Sequence, residues 1–369
     1  MMRLNSFLAS LVLVPLVLVP AAFAQQPPEQ ISVETMPEHG PNWFIAKSSS
    51  GGRIFDAESG EMLGMLSLSS RTPAVAPYLP RGEFYAAETY FSRGVHGERT
   101  DIVAIYDYAN LRPVAEVEIP NRMARLSVRN HLGLLGNGRH LAVLNMNPGY
   151  SVSIVDVVDR EFIQEMSTPG CAIILPVAEN DFLLICGDGT LQLSQLDSNG
   201  VERNRVRSEV FFSVDEDAVF DRTARTAGSW WLLITHAGVI FEVGADDDEI
   251  LIGEGWSIVG ADEADWRPGG GEFLDVHRGT GLLYVAMHQG PVDTHHDPGE
   301  EIWVIDLAQQ RRVHRLEIED LAESVTVTQE TAPKLIVGTA SAGTEVYDAL
   351  TFRHERSIEG PGVAMYEDF

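Results

Sequence analysis

"TDIVAIYDYANLRPVAEVEI", Thr100–Ile119, alternates apolar and polar residues up to an aspartate, breaks at a short polar turn, and resumes alternating. Successive side chains of a strand point to opposite sides, so this is the pattern of an antiparallel hairpin with one buried face. The form recurs as "GGRIFDAESGEMLGMLSL" from Gly51, "GYSVSIVDVVDREFIQEM" from Gly149, "GEEIWVIDLAQQRRVHRLEI" from Gly299 and "GTEVYDALTFRHERSI" from Gly343. Weaker copies begin at Gly189 and Ala237, making seven, with the turn entered at Asp56, Asp107, Asp156, Leu196, Val243, Asp306 and Asp348. The steps of 51, 49, 40, 47, 63 and 42 residues suit four-stranded propeller blades, whose period is about 40–50 residues.

Between these hairpins lie segments such as "CAIILPVAENDFLLICG" and "FLDVHRGTGLLYVAMH", which read as strand, Gly- or Asn-containing turn, strand. Together they predict an all-β, seven-bladed β-propeller; a two-sheet sandwich is the alternative, and the evenly repeated hairpin favours radial repetition. The first repeat has only "NWFIAKS" ahead of its hairpin, while "GVAMYE" is left over at the C-terminus. The C-terminal strand is therefore expected to complete the first blade and close the ring.

Ahead of the repeats, Arg3 precedes the apolar run "FLASLVLVPLVLVPAAFA", which ends in small residues. Residues 1–24 are predicted to be a signal peptide, 25–41 a flexible N-terminal segment and 42–369 the propeller. A membrane anchor is the competing reading, disfavoured by Pro15, Pro20 and the polar "QQPPEQ" that follows. The expected location is the periplasm. There Cys171 and Cys186, fifteen positions apart, are expected to form a disulfide, worth about 3 kcal/mol on loop-closure grounds. A metal or redox pair is the alternative.

The chain carries 26 basic and 54 acidic residues, a formal net charge of -28, which excludes nucleic acid as a partner. No hydrolase elbow or phosphate loop occurs, and Lys47 and Lys334 are the only lysines. "VDTHHDPGEE", with His295, His296, Asp297, Glu300 and Glu301, has the composition of a metal site but no metal-ligand spacing, and Pro298 and Gly299 mark it as a turn. "GADDDE", Gly244–Glu249, resembles a calcium loop only in acidity. "DWRPGGGEF" fixes a loop of particular backbone shape beside Trp266 and Arg267. The residues thus give no self-contained catalytic constellation, metal site or cofactor site.

"FSRGVHGERTDIVAIYDYANLRPVAEVEIP", "PGCAIILPVAENDFLLICGDGTL", "ADEADWRPGGGEFLDVHRGTGLLYVAMHQG" and "THHDPGEEIWVIDLAQQRRVHRLEI", in that order, resemble the heavy subunit of the quinoprotein amine dehydrogenases. These are the methylamine and aromatic amine enzymes, and the "MHQG...THHDPGEEIWVID" stretch looks more like the aromatic branch. The resemblance implies two heavy and two light subunits, with tryptophan tryptophylquinone and the catalytic base both in the light subunit. It implies oxidation of a primary amine to an aldehyde with release of ammonia, and electron transfer to a small copper protein or a cytochrome. It also places Cys171 and Cys186 at the family's disulfide.

No catalytic residue is expected in this chain. Phe91, Arg93, Glu98, Arg99, Trp266, Arg267 and His288 are expected to hold loops, meet the partner subunit or line its channel. In the methylamine enzymes an aromatic residue ahead of the first hairpin shapes that channel, whereas "FIAKSSSGGRIFD" is short and rich in small residues. A stand-alone periplasmic binding or scaffold propeller is the alternative function.

Overall fold

The computed structural model describes residues 35–48, 51–69, 74–120, 123–341, 343–360 and 365–368. The expected signal peptide lies outside the described residues, and among these no helix is long and apolar enough to cross a membrane. Residues 35–41 lie along the first two repeats: Met36 N–H donates to Ala109 O (2.8 Å) and Tyr108 Oη donates to Pro37 O (3.0 Å).

The repeated hairpins form as read. In the second, strand His96–Asp107 pairs antiparallel with Arg112–Ile119 and, on its other side, with Glu83–Arg93, which pairs with Val75–Tyr78. The turn-entry aspartate explains the repeat. Asp107 Oδ2 accepts the N–H of Asn110, Asp156 Oδ1 those of Val158 and Asp159, Asp306 Oδ1 that of Gln309, and Asp348 Oδ1 those of Leu350 and Thr351. Each carboxylate thereby satisfies turn N–H groups that the ladder leaves unpaired.

Four places beyond every turn entry the backbone is left-handed, with φ between 47° and 79° at Gly60, Leu111, Arg160, Gly200, Asp247, Gln310 and Phe352. A non-glycine residue there costs about 1–2 kcal/mol. Six of the seven hairpins also shift register just before the turn, as between Ile105 and Tyr106. Such a bulge increases strand twist, which a propeller blade requires.

Hydrogen bonding gathers the strands into six sheets among the described residues: four of four strands, one of five and one of eight. Seven separate four-stranded sheets were expected from the repeats, so the count differs. The cause is the strand Arg311–Val327, whose 17 residues pair first with Gly299–Asp306 and then with Lys334–Thr339, fusing the last two repeats into one ladder.

Each apolar core cluster lies between neighbouring repeats. Ile54 and Leu66 pack with Phe84 and Ala104; Tyr85 and Val103 with Leu141 and Val155; Leu144 and Ile154 with Ile174 and Leu184. A further cluster brings Phe44 and Phe55 of the first repeat against Ile336, Val346 and Ile358 of the last. Strand Met365–Asp368 pairs antiparallel with Trp43–Ser48, placing Asp368 opposite Phe44. The architecture is an all-β propeller.

Candidate functional site

Because strands alternate in direction, the aspartate turns and the first-to-second turns share one end of the propeller. The second-to-third turns and the crossings between sheets share the other. The residues expected to hold loops or meet a partner, and the "VDTHHDPGEE" run, sit at this second, crossing end, whereas "GADDDE" is an aspartate-type turn at the first.

The hairpin that holds Phe91, Arg93, Glu98 and Arg99 is longer than its counterparts. "SRGVHGER" reads as a connecting loop, but strands Glu83–Arg93 and His96–Asp107 run through it and leave only Gly94 and Val95 at the tip. Gly94 is left-handed (φ 72°), as a two-residue turn requires, and Val95 is 77% exposed. Arg93 and Glu98 are exposed, with Glu98 N–H donating to Ser92 Oγ (3.0 Å).

Arg99 points inward along the blade instead. Its Nε and Nη2 donate to the two oxygens of the fully buried Asp101 carboxylate (2.9 and 2.8 Å), and Nη2 also reaches Met123 O (2.8 Å). Phe91 lies under the Arg125 guanidinium, 5.2 Å from its ring centroid. Just below, the buried Glu88 carboxylate accepts hydrogen bonds from Tyr90 Oη, Tyr106 Oη and Ser69 N. Burial, followed by those bonds to Glu88, pushes both tyrosine pKa values well above the usual range.

Trp266, Arg267 and His288 come together in another blade, where Arg267 sits opposite His288 in the ladder. Trp266 is buried against Trp303 (ring centroids 5.3 Å apart), with Arg315 over its ring at 4.6 Å. Glu263 and Glu301 hold Arg315 and Arg312 in place over these rings. Arg267 Nε donates to Gly290 O (3.1 Å), and the buried His288 shares a hydrogen bond with Thr294 Oγ1 (2.9 Å). Burial lowers the His288 pKa. Arg267 and His288, opposite each other in the ladder, thus tie the strand pair Trp266–Pro268 and Leu282–Gln289 to the 290–298 connection.

Cys171 and Cys186 are joined, as expected, and face each other as ladder partners at the crossing end. His295 and His296 stack in sequence upon His236: the His236 and His295 centroids are 4.2 Å apart and nearly parallel, and His296 lies 4.2 Å from His295. Parallel rings send their nitrogen lone pairs into separate planes, which cannot meet at one ion. Among the described residues no group of three His, Cys, Asp or Glu is placed to hold a metal.

Two features were not read from the sequence. His236 joins the histidine stack from a hairpin more than fifty residues away, with no local pattern to announce it. In addition, the first strands of several blades enclose a cavity of about 340 Å³, lined by Arg129, Arg225, Arg278 and Asp275 among others. The arginines are isolated in sequence; only the inward convergence of the blades assembles them.

The model of the methylamine dehydrogenase heavy chain family matches residues 40–365. The methylamine dehydrogenase heavy chain of Paracoccus versutus is 28% identical over 334 residues, covering 85% of this chain and 75% of the relative. That of Methylophilus methylotrophus is 27% identical over 314 residues, covering 84% and 77%. Among solved structures, a functionally unknown protein from Desulfotomaculum acetoxidans DSM 771 superimposes with a TM-score of 0.62 at 12% identity, covering 88% of this chain and 98% of that one. A dihydro-heme d1 dehydrogenase, NirN, does so with a TM-score of 0.57 at 18% identity, covering 90% and 76%. At these identities the two structures speak for the propeller fold alone. A family match running through every repeat, residues 40–365, means that the chain belongs to the methylamine dehydrogenase heavy chain family.

Proposed function

We propose that this chain is the non-catalytic heavy subunit of a periplasmic amine dehydrogenase, directed there by residues 1–24. It pairs with a light subunit, two of each, and the light subunit carries tryptophan tryptophylquinone and the catalytic base. When bound, that quinone supplies oxidation of a primary amine to an aldehyde and ammonia, and a small copper protein or a cytochrome takes the electrons. This chain's part is to dock and position. Phe91, Arg93 and Glu98 at the hairpin tip, and the face held by Trp266, Arg267 and His288, meet the light subunit or its channel. The observation that carries this reading is the family match over residues 40–365.

The fused eight-stranded sheet counts as two blades sharing the strand Arg311–Val327, which makes seven blades. The strand Met365–Asp368 supplies the first blade's innermost strand and closes the ring.

Purification from the native periplasm tests the proposal. The chain is expected to co-purify in equal amounts with a small exported subunit, and the complex to show a quinone absorption band that an amine bleaches. A chain that purifies alone, with no such band, would instead be a free-standing scaffold. The small residues of "FIAKSSSGGRIFD" favour a wide channel. The complex is therefore expected to turn over arylalkylamines at least as well as methylamine, and a strict preference for methylamine in steady-state kinetics would refute the wide channel.

A further inference from the structure

We propose that the cavity enclosed by the first strands of the blades binds a small organic anion carrying two or more carboxylates. It measures about 340 Å³, the size of a small-ligand pocket, and five blades contribute to its wall. Arg225 ends the first strand Ala224–Arg225, and Asp275 lies in the first strand Leu274–His277. Arg129 precedes the first strand Leu132–Leu134 and so stands toward the crossing end, whereas Arg278 follows Leu274–His277 and stands toward the aspartate turns. The cavity therefore runs along the first strands, with arginines toward both ends.

Charge sets the sign of the ligand. The chain has 26 basic and 54 acidic residues, yet this cavity is lined by three arginines and one carboxylate. That carboxylate, Asp275, is buried, and its oxygens accept from Val276 N (2.8 Å), Thr326 Oγ1 (2.7 Å) and Val327 N (2.9 Å). Glu272, behind the wall, accepts the N–H of Arg129 (3.3 Å) and lies 3.1 Å from Arg222, an arginine outside the cavity. Even with both carboxylates set against the three lining guanidiniums, positive charge is left over. Arg225 is exposed and Arg129 and Arg278 are half-buried, so all three keep surface open to a ligand.

The wall is held by neutral hydrogen bonds. Thr223 Oγ1 donates to Asn130 Oδ1 (2.9 Å) and Asn130 Nδ2 to Ile174 O (3.2 Å), tying three blades together beside Arg129 and Arg225. Trp231 Nε1 donates to Pro176 O (2.9 Å), and Arg278 N–H to Gln329 Oε1 (2.9 Å). The backbone that carries the arginines is thus fixed before a ligand arrives, which lowers the ordering cost of binding. A planar guanidinium matches a carboxylate with two parallel N–H···O bonds, and arginines converging from different strands suit a ligand with more than one such group. Pro77, Leu134, Pro176 and Trp231 add apolar wall, which takes a carbon skeleton and disfavours a fully hydrated inorganic anion. The inference goes beyond the heavy-subunit reading and does not depend on it, because a chain that never meets a light subunit would still bind.

The test is equilibrium dialysis of the full chain at pH 7.5 against radiolabelled citrate, with enough salt to screen the chain's own charge. Saturable binding is expected, with a dissociation constant of about 0.1 mM. Unlabelled citrate should compete at least about tenfold better than its neutral trimethyl ester or inorganic phosphate. Arg225→Gln and Arg278→Gln are each expected to weaken binding about tenfold, the effect of losing one charge-assisted contact. Arg353→Gln, at a side chain 77% exposed beside the last aspartate turn, removes the same charge and is expected to leave the affinity unchanged. Melting curves establish that each variant is folded, and the competition on the unaltered chain decides even where one is not. Absence of saturable binding, phosphate competing as well as citrate, or an Arg353→Gln loss equal to that of the cavity variants would overturn the proposal.

Discussion

Replacing Arg99 with alanine is expected to lower the stability of the folded chain by about 3 kcal/mol, the range in which breaking a buried ion pair falls. Its guanidinium lies bidentate on Asp101, whose side chain is wholly buried, and at the same time holds the crossing segment at Met123 O. Its loss removes both charge-assisted bonds from the Asp101 carboxylate, which also accepts from the neutral donors Thr89 Oγ1 (2.7 Å) and Met123 N (2.9 Å), and a buried charge weakened in this way is costly. Arg93→Ala and Glu98→Ala, at the exposed hairpin tip, are expected to stay within about 0.5 kcal/mol of the parent. Urea melts of the three variants separate the roles. An Arg99→Ala protein that melts like the parent would remove Arg99 from the structural side and return it to the set of partner contacts.

This split was only partly legible in the sequence. "FSRGVHGERTD" announces a charged hairpin, and its position ahead of an alternating run places it at a blade end. What decides the roles is strand parity. Arg99 and Asp101 are two apart on one strand and so share a face. Glu98 falls on the other face, and Arg93 reaches only the tip. The sequence reading extended the connection over eight residues, because polar residues on both faces hide the ladder that continues through Ser92 and Arg93. A hairpin that projects past its neighbours has no core to bury, so alternation fails as a signal there while backbone pairing persists.

The repeats were legible for a firmer reason. A turn-entry aspartate, a left-handed residue four places on and an apolar strand before it each answer a local backbone demand, so they recur wherever the blade does. Where the aspartate is replaced, at Leu196 and Val243, the copy reads weakly although the left-handed position remains, at Gly200 and Asp247. Sheet count was less legible, since nothing in "RRVHRLEIEDLAESVTV" shows that its two halves belong to one unbroken strand. The joining of His236 to His295 and His296, and the arginine-lined cavity, were not legible in the sequence. Both are made by residues far apart in sequence that meet only when the blades are arranged about an axis.

Deleting residues 362–369 is expected to produce the largest loss of stability, at least about 4 kcal/mol, taking about 1 kcal/mol for each hydrogen bond lost at four paired positions. The strand Met365–Asp368 pairs with Phe44, Ile45, Ala46 and Lys47, and its removal turns Trp43–Ser48 into an edge. Phe44 and Ile45 are fully buried, and the cluster that joins Phe44 and Phe55 to Ile336, Val346 and Ile358 packs the first repeat against the last. An unpaired edge beside that seam lets water reach backbone groups that have no other partner in the ladder, and it leaves a template for pairing between molecules. The truncated chain should therefore melt at least several degrees below the parent and associate more readily at equal concentration. Differential scanning fluorimetry with light scattering reads both. A melting temperature unchanged by the deletion would show that the cluster between first and last repeats holds the propeller without the terminal strand.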